Sequence, residues 1–281
     1  MEKSEVRDRI RQVLEQYAKS PSWTPRQELR QPLFWKCIRA EFIGSLILMV
    51  FTTSASNGEY LPSISYGCVI TILTYIFKAT SIHFNPVVSL SASLLRAITP
   101  FRCICLILAQ SLGSLSGATV VCLGLTSTNG TITTVSPTVS VSASQGFGYE
   151  FFATFLLMLT MASHLECPTD DQNYPLIMGI ATTAVSSFAH NATGGFLNPF
   201  RALSLALFHR QYSSHYVYWL GPVLGSLLAV FTHDFLRPSR STRSDTLHRN
   251  ANGNLTSLPV AVSRSQEAIQ MDSEFTIATL T

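Results

Sequence analysis

Charge is what this chain has least of. Only 12% of its 281 residues are Asp, Glu, Lys or Arg, against 47% hydrophobic, and an average soluble domain carries about twice that charged share. The scarcity is also local. Between Ala40 and Leu236 the fixed cations are Lys78, Arg96, Arg102, Arg201 and Arg210, whereas the stretch before Ala40 carries nine and the stretch after Leu236 carries five. A chain emptied of cations over its middle offers no basic surface to a nucleic acid. The net charge of +3 instead reports topology, with both termini expected on the cytoplasmic side of a membrane. Positions 1–36 hold no apolar core of the kind a secretory signal needs. Cysteine is sparse and unpatterned: Cys37, Cys68, Cys103, Cys105, Cys122 and Cys167 show no metal-binding spacing and read as small membrane-core residues. There is no nucleophile–base pair, metal set or phosphate-cradling loop, so neither an enzyme nor a cofactor is expected.

What is present is apolar sequence in long runs. Six stretches, 37–56, 62–80, 103–125, 147–164, 174–191 and 214–236, are long enough to span a bilayer. Gly, Ser and Thr recur within them, which suits close helix contact in lipid. Before them, Val6, Ile10, Val13, Leu14 and Tyr17 fall at helical spacing among Arg7, Arg9 and Arg11. That pattern fits a helix on the inner leaflet and equally a solvated one. The spans divide the chain into a cytoplasmic segment 1–36, a first repeat 37–125, an outer loop 126–145, a second repeat 146–236 and a polar cytoplasmic tail 237–281. The outer loop is uncharged, rich in Ser and Thr, and holds Asn129-Gly130-Thr131, which makes Asn129 a glycosylation candidate.

The chain repeats itself. Glu41-Phe42 opens one span and Glu150-Phe151 another; Asn85-Pro86 and Asn198-Pro199 are the only Asn-Pro pairs. Leu112-Gly113-Ser114-Leu115 returns as Leu224-Gly225-Ser226-Leu227, and all three pairings are displaced along the chain by almost the same amount. Asn is a favoured helix N-cap and Pro a favoured first helical residue, so each Asn-Pro pair starts a short helix. Each half then holds three spans with one half-helix between its second and third. Three is odd, so the second half enters from the opposite face. The expected fold is an all-α membrane protein of six transmembrane helices plus two re-entrant half-helices in an inverted repeat. Glu41 and Glu150, one per half, are expected to accept hydrogen bonds from the irregular backbone before each half-helix, because such backbone at membrane depth needs internal partners.

Over roughly residues 33–238 the chain resembles the aquaporins of the major intrinsic protein family. The matching stretches are LFWKCIRAEFIGSL, FNPVVSL, LILAQSLGSLSGA, GYEFF, NPFRA and VYWLGPVLGSLLA. The resemblance implies a passive water channel, assembled as a homotetramer in the lipid bilayer, more expected at the plasma membrane than inside the cell. Asn85 and Asn198 would face its centre. The family usually has Asn-Pro-Ala twice; here Val87 and Phe200 stand third. A larger residue there can narrow the path, tilt a half-helix or pack without effect. The same match implies an outer constriction of Tyr66, Ser186, Gly195 and Arg201. Water-selective members usually carry His at Ser186 and often Cys at Gly195, which keeps small neutral solutes (glycerol, urea, ammonia, hydrogen peroxide) open as an alternative cargo. Ala202 follows the Arg where glycerol-type members have Asp. His83 matches the inner pore wall, and the carbonyls of Gly194, Gly195 and Phe196 would line the path. Val87 and Phe200 also leave room for a structural or adhesion member with low conductance.

Overall fold

The computed structural model describes residues 24–53, 61–125, 136–166 and 173–236. Asn129, the basic stretch 3–18 and the Ser/Arg-rich tail lie outside them. The described elements are helices: α1 Pro25–Leu29, α2 Pro32–Thr53, α3 Leu61–Phe77, α4 Pro86–Leu94, α5 Pro100–Thr119, α6 Ala143–Glu166, α7 Tyr174–Thr193, α8 Pro199–His209 and α9 Val217–Leu236, with a π-helical turn at Val120–Leu125 continuing α5. Through Phe235 they belong to one compact unit.

Local chemistry sets several of the starts. Thr99 accepts from Arg102 N and caps α5, with Pro100 in its first turn. Asn85 and Asn198 do the same for α4 and α8, each followed by Pro. These two helices, 9 and 11 residues long, reach about 14 and 17 Å at 1.5 Å per residue, roughly half of a hydrocarbon layer about 30 Å thick.

Among the described residues six helices are the long ones, as the sequence leads one to expect, but they differ in how apolar they are. Pro100–Leu125, Ala143–His164 and Val217–Leu236 are long and apolar enough to cross a membrane by composition alone, and Leu61–Phe77 is a shorter apolar helix. The other two carry polarity that turns inward. In α2, Glu41, Ser45, Thr52 and Thr53 are buried; in α7, Thr182, Ser186 and Thr193 are. The outward faces are stripes of bare hydrocarbon at helical spacing: Ile104, Leu108 and Leu112 on α5, and Leu224, Leu228, Phe231 and Phe235 on α9. In water such stripes would aggregate. Against acyl chains they need no cover.

The repeat sets how closely helices meet. A Cβ on Gly113 of α5 would strike the Phe42 carbonyl of α2, and one on Gly225 of α9 would strike the Phe151 carbonyl of α6. Across the other seam, a Cβ on Gly67 of α3 or on Gly179 of α7 would collide with the other's carbonyl. Small residues at matched positions let backbones touch, the usual basis of helix packing in lipid.

Candidate functional site

At the meeting point of α4 and α8 the two asparagines are crossed. Asn85 Oδ1 accepts from Val87 N at 3.0 Å, and Asn198 Oδ1 accepts from Phe200 N at 3.0 Å and Arg201 N at 3.4 Å. Each amide nitrogen then donates to the opposite half: Asn85 Nδ2 to the Leu197 carbonyl and Asn198 Nδ2 to the Phe84 carbonyl, both at 2.9 Å. Both acceptors sit in left-handed backbone, Phe84 at φ 50° and Leu197 at φ 57°. Bulky residues rarely adopt that conformation, and it persists only where surroundings enforce it.

The enforcement comes from the two buried carboxylates. Glu41 accepts from His83 N at 2.8 Å, Phe84 N at 2.7 Å and the Ser81 hydroxyl. Glu150 accepts from Phe196 N at 3.1 Å, Leu197 N at 2.9 Å and Thr193 Oγ1 at 2.6 Å. Each carboxylate thus holds the strained residue through its own N–H. In the first half Gln110 Nε2 adds a fourth donor to Glu41 and also reaches Ser89 Oγ, both at 2.8 Å. Ser89 Oγ lies 3.0 Å from His83 Nδ1.

The residues expected at an outer constriction are brought into one cluster. Arg201 is 1% exposed, and its side chain is held by a hydroxyl and two carbonyls. Its Nε donates to Thr52 Oγ1 at 3.2 Å, Nη2 to the Thr52 carbonyl at 3.2 Å, and Nη1 to the Gly195 carbonyl at 3.4 Å. Its guanidinium lies 4.4 Å from the Tyr66 ring centroid and 4.8 Å from that of Phe196, within the range where a ring quadrupole attracts a cation. Ser186 Oγ completes the group at 3.1 Å from the Gly195 carbonyl. Gly194 and Gly195 have φ of 86° and 59°, and a Cβ on Gly195 would run into the Ser186 carbonyl. A larger residue does not fit at 195 without moving α7.

Adjoining this cluster is a narrow cavity whose lining includes Tyr66, Thr74, His83, Asn85, Tyr174 and Thr182. Val87 is buried in the apolar core. Phe200 is half-buried and packs edge-on against Trp219, ring centroids 5.9 Å apart, so its bulk is absorbed by α9. Sequence reasoning missed Thr52, Ser63, Gln110 and Thr193. One signal was available: Ser81 and Thr193, the two hydroxyls on the carboxylates, occupy equivalent places in the two repeats.

The geometry is that of two half-length helices meeting cap to cap inside an apolar bundle, and comparison with known proteins agrees. The model of the major intrinsic protein family matches residues 28–233. Aquaporin-6 of Milnesium tardigradum is 49% identical over 290 aligned residues, covering 100% of this chain and 99% of that one. Human Aquaporin-1 is 27% identical over 234 residues, covering 76% of this chain and 87% of its own length. Among solved structures, the aquaglyceroporin from Plasmodium falciparum superposes with a TM-score of 0.61 at 21% identity, covering 72% of this chain and 96% of that one, which shows a shared fold. The chain belongs to the major intrinsic protein family. It is an integral membrane protein of the aquaporin fold, and a channel for water or small solutes.

Proposed function

We propose that the chain is a passive water channel driven by osmotic gradients, with ions and protons excluded. The carrying observation is the crossed asparagine pair. Each amide nitrogen gives one N–H to the opposite half and has a second left for a permeant, so under this reading two donors meet at one point from opposite directions. A water at that point accepts from both and turns its own protons outward. The N-termini of α4 and α8 bring about half a positive charge each to the same place. Arg201 adds a fixed cation further out. Together they repel cations, protons included.

Under this reading Tyr66, Ser186, Gly195 and Arg201 form the outer filter, and His83 with the loop backbone lines the walls. Ala202, in the place where glycerol-type members carry Asp, supports water over glycerol. Ser186, small where water-selective members carry His, favours a second reading as a broader neutral-solute channel. The structural-only alternative finds less support, since Val87 N and Phe200 N both keep their bonds to the asparagines. We read the assembly as a homotetramer at the plasma membrane, with both termini cytoplasmic and Asn129 outside.

Stopped-flow light scattering on proteoliposomes separates the readings. Water permeability well above empty liposomes, with slow reswelling in glycerol, is the expected result. Water permeability at the empty-liposome level would overturn the channel reading, and fast glycerol reswelling would favour the broader pore.

A further inference from the structure

Ser186 has one hydroxyl proton and two acceptors within reach: Ser63 Oγ at 3.2 Å and the Gly195 carbonyl at 3.1 Å. A single proton serves one of them well at a time. The Gly195 carbonyl has two lone pairs, and Arg201 Nη1 already approaches it at 3.4 Å. When the Ser186 proton also points there, the carbonyl has nothing left for a molecule in the path. When the proton turns to Ser63, one lone pair is released. Ser63 is 0% exposed and meets the constriction through its contact with Ser186, so its influence on a permeant passes through that hydroxyl.

We propose that Ser63 is a positioning residue that sets the solute specificity of the outer constriction by competing with the Gly195 carbonyl for the Ser186 proton. The proposal rests on the channel reading above. The solutes it governs are small neutral molecules with several donors, such as polyols and ureas. These shed more hydration than water does and need wall acceptors to replace it, and an acceptor withheld discriminates against them strongly. Ser63 therefore admits such solutes, and Ser186 bonded to Gly195 holds them back.

The two partners of one hydrogen bond should then act in opposite directions. In proteoliposomes, Ser186→Ala frees the carbonyl and is expected to raise the ratio of glycerol to water permeability roughly threefold, the scale of one modest hydrogen bond. Ser63→Ala removes the competing acceptor and is expected to lower that ratio below the wild-type value, with glycerol flux read above that of empty liposomes; an unchanged ratio would overturn the role of Ser63. Ser63→Thr keeps an acceptor and restores the wild-type ratio. Ser63→Cys, a weak acceptor of similar size, replaces Ser63→Ala if that variant fails to assemble. The decisive arm is the double variant Ser63→Ala/Ser186→Ala, which should match Ser186→Ala alone, because without the Ser186 proton Ser63 has nothing to compete for. A double variant that differs from Ser186→Ala, or single variants that move the ratio the same way, would overturn the role of Ser63. Water flux at the empty-liposome level in wild type would instead remove the channel reading, and this inference with it.

Discussion

Gly195 shows how far a single residue can be read from sequence. As a departure from a usual Cys it suggests a wider filter. In the structure its space is taken by the Ser186 carbonyl and its backbone is left-handed. Gly195→Cys is therefore expected to destabilise the protein by about 2 kcal/mol or more, combining left-handed strain with an overpacked contact, read as a lower thermal midpoint in detergent. A variant as stable as wild type would mean that this loop yields more than its contacts imply. Mercurials give a second check at this scale. With Gly at 195, block of water flux through a cysteine at that position should be absent; block lost on replacing one outer-mouth cysteine would contradict it. Asn85 and Asn198 were legible because the Asn-Pro pair occurs twice at matched places in the repeat, and Arg201 because an ionic group in an apolar run stands out. Thr52 was not, since it lies 149 residues from the Arg201 it anchors and a threonine in a membrane helix carries no mark of its partner.

Among elements, the two half-helices are oriented by carboxylates that sit on other helices, far upstream in the chain. Glu150→Gln turns one acceptor oxygen into a donor facing backbone N–H groups. The expected loss is about 1.5–3 kcal/mol, the range for hydrogen bonds to a charged group, again as a lower thermal midpoint. A midpoint unchanged from wild type would mean that the loop before α8 holds itself. Seams between the long helices make a separate claim. Gly113→Ala should push α5 off α2 and lower both stability and water permeability, whereas Leu112→Ala, on the exposed stripe of the same helix, should change neither appreciably. The repeat made the half-helices and their pairing visible in the sequence. Helix ends were less visible. The first span, read from residue 37, begins at Pro32, because Lys36 dilutes the hydropathy of a first turn that is helical all the same.

At the scale of the whole molecule, the proposed tetramer is open to direct measurement. A subunit of 30.9 kDa is expected to appear as four copies in native mass spectrometry from mild detergent; a monomer that retains full water permeability after reconstitution would contradict the tetramer. The crossed asparagines carry a consequence for how the protein is made. The first repeat leaves the ribosome first, holding an Asn85 amide whose partner, the Leu197 carbonyl, is translated 112 residues later. Phe84 likewise offers its carbonyl to an Asn198 that does not yet exist. The nascent first half is thus chemically unfinished at its most constrained corner, and nothing in its own sequence completes it. Synthesis order makes the second half the template on which the first half sets, so a chain truncated between the repeats should be an early substrate for membrane quality control rather than half a channel.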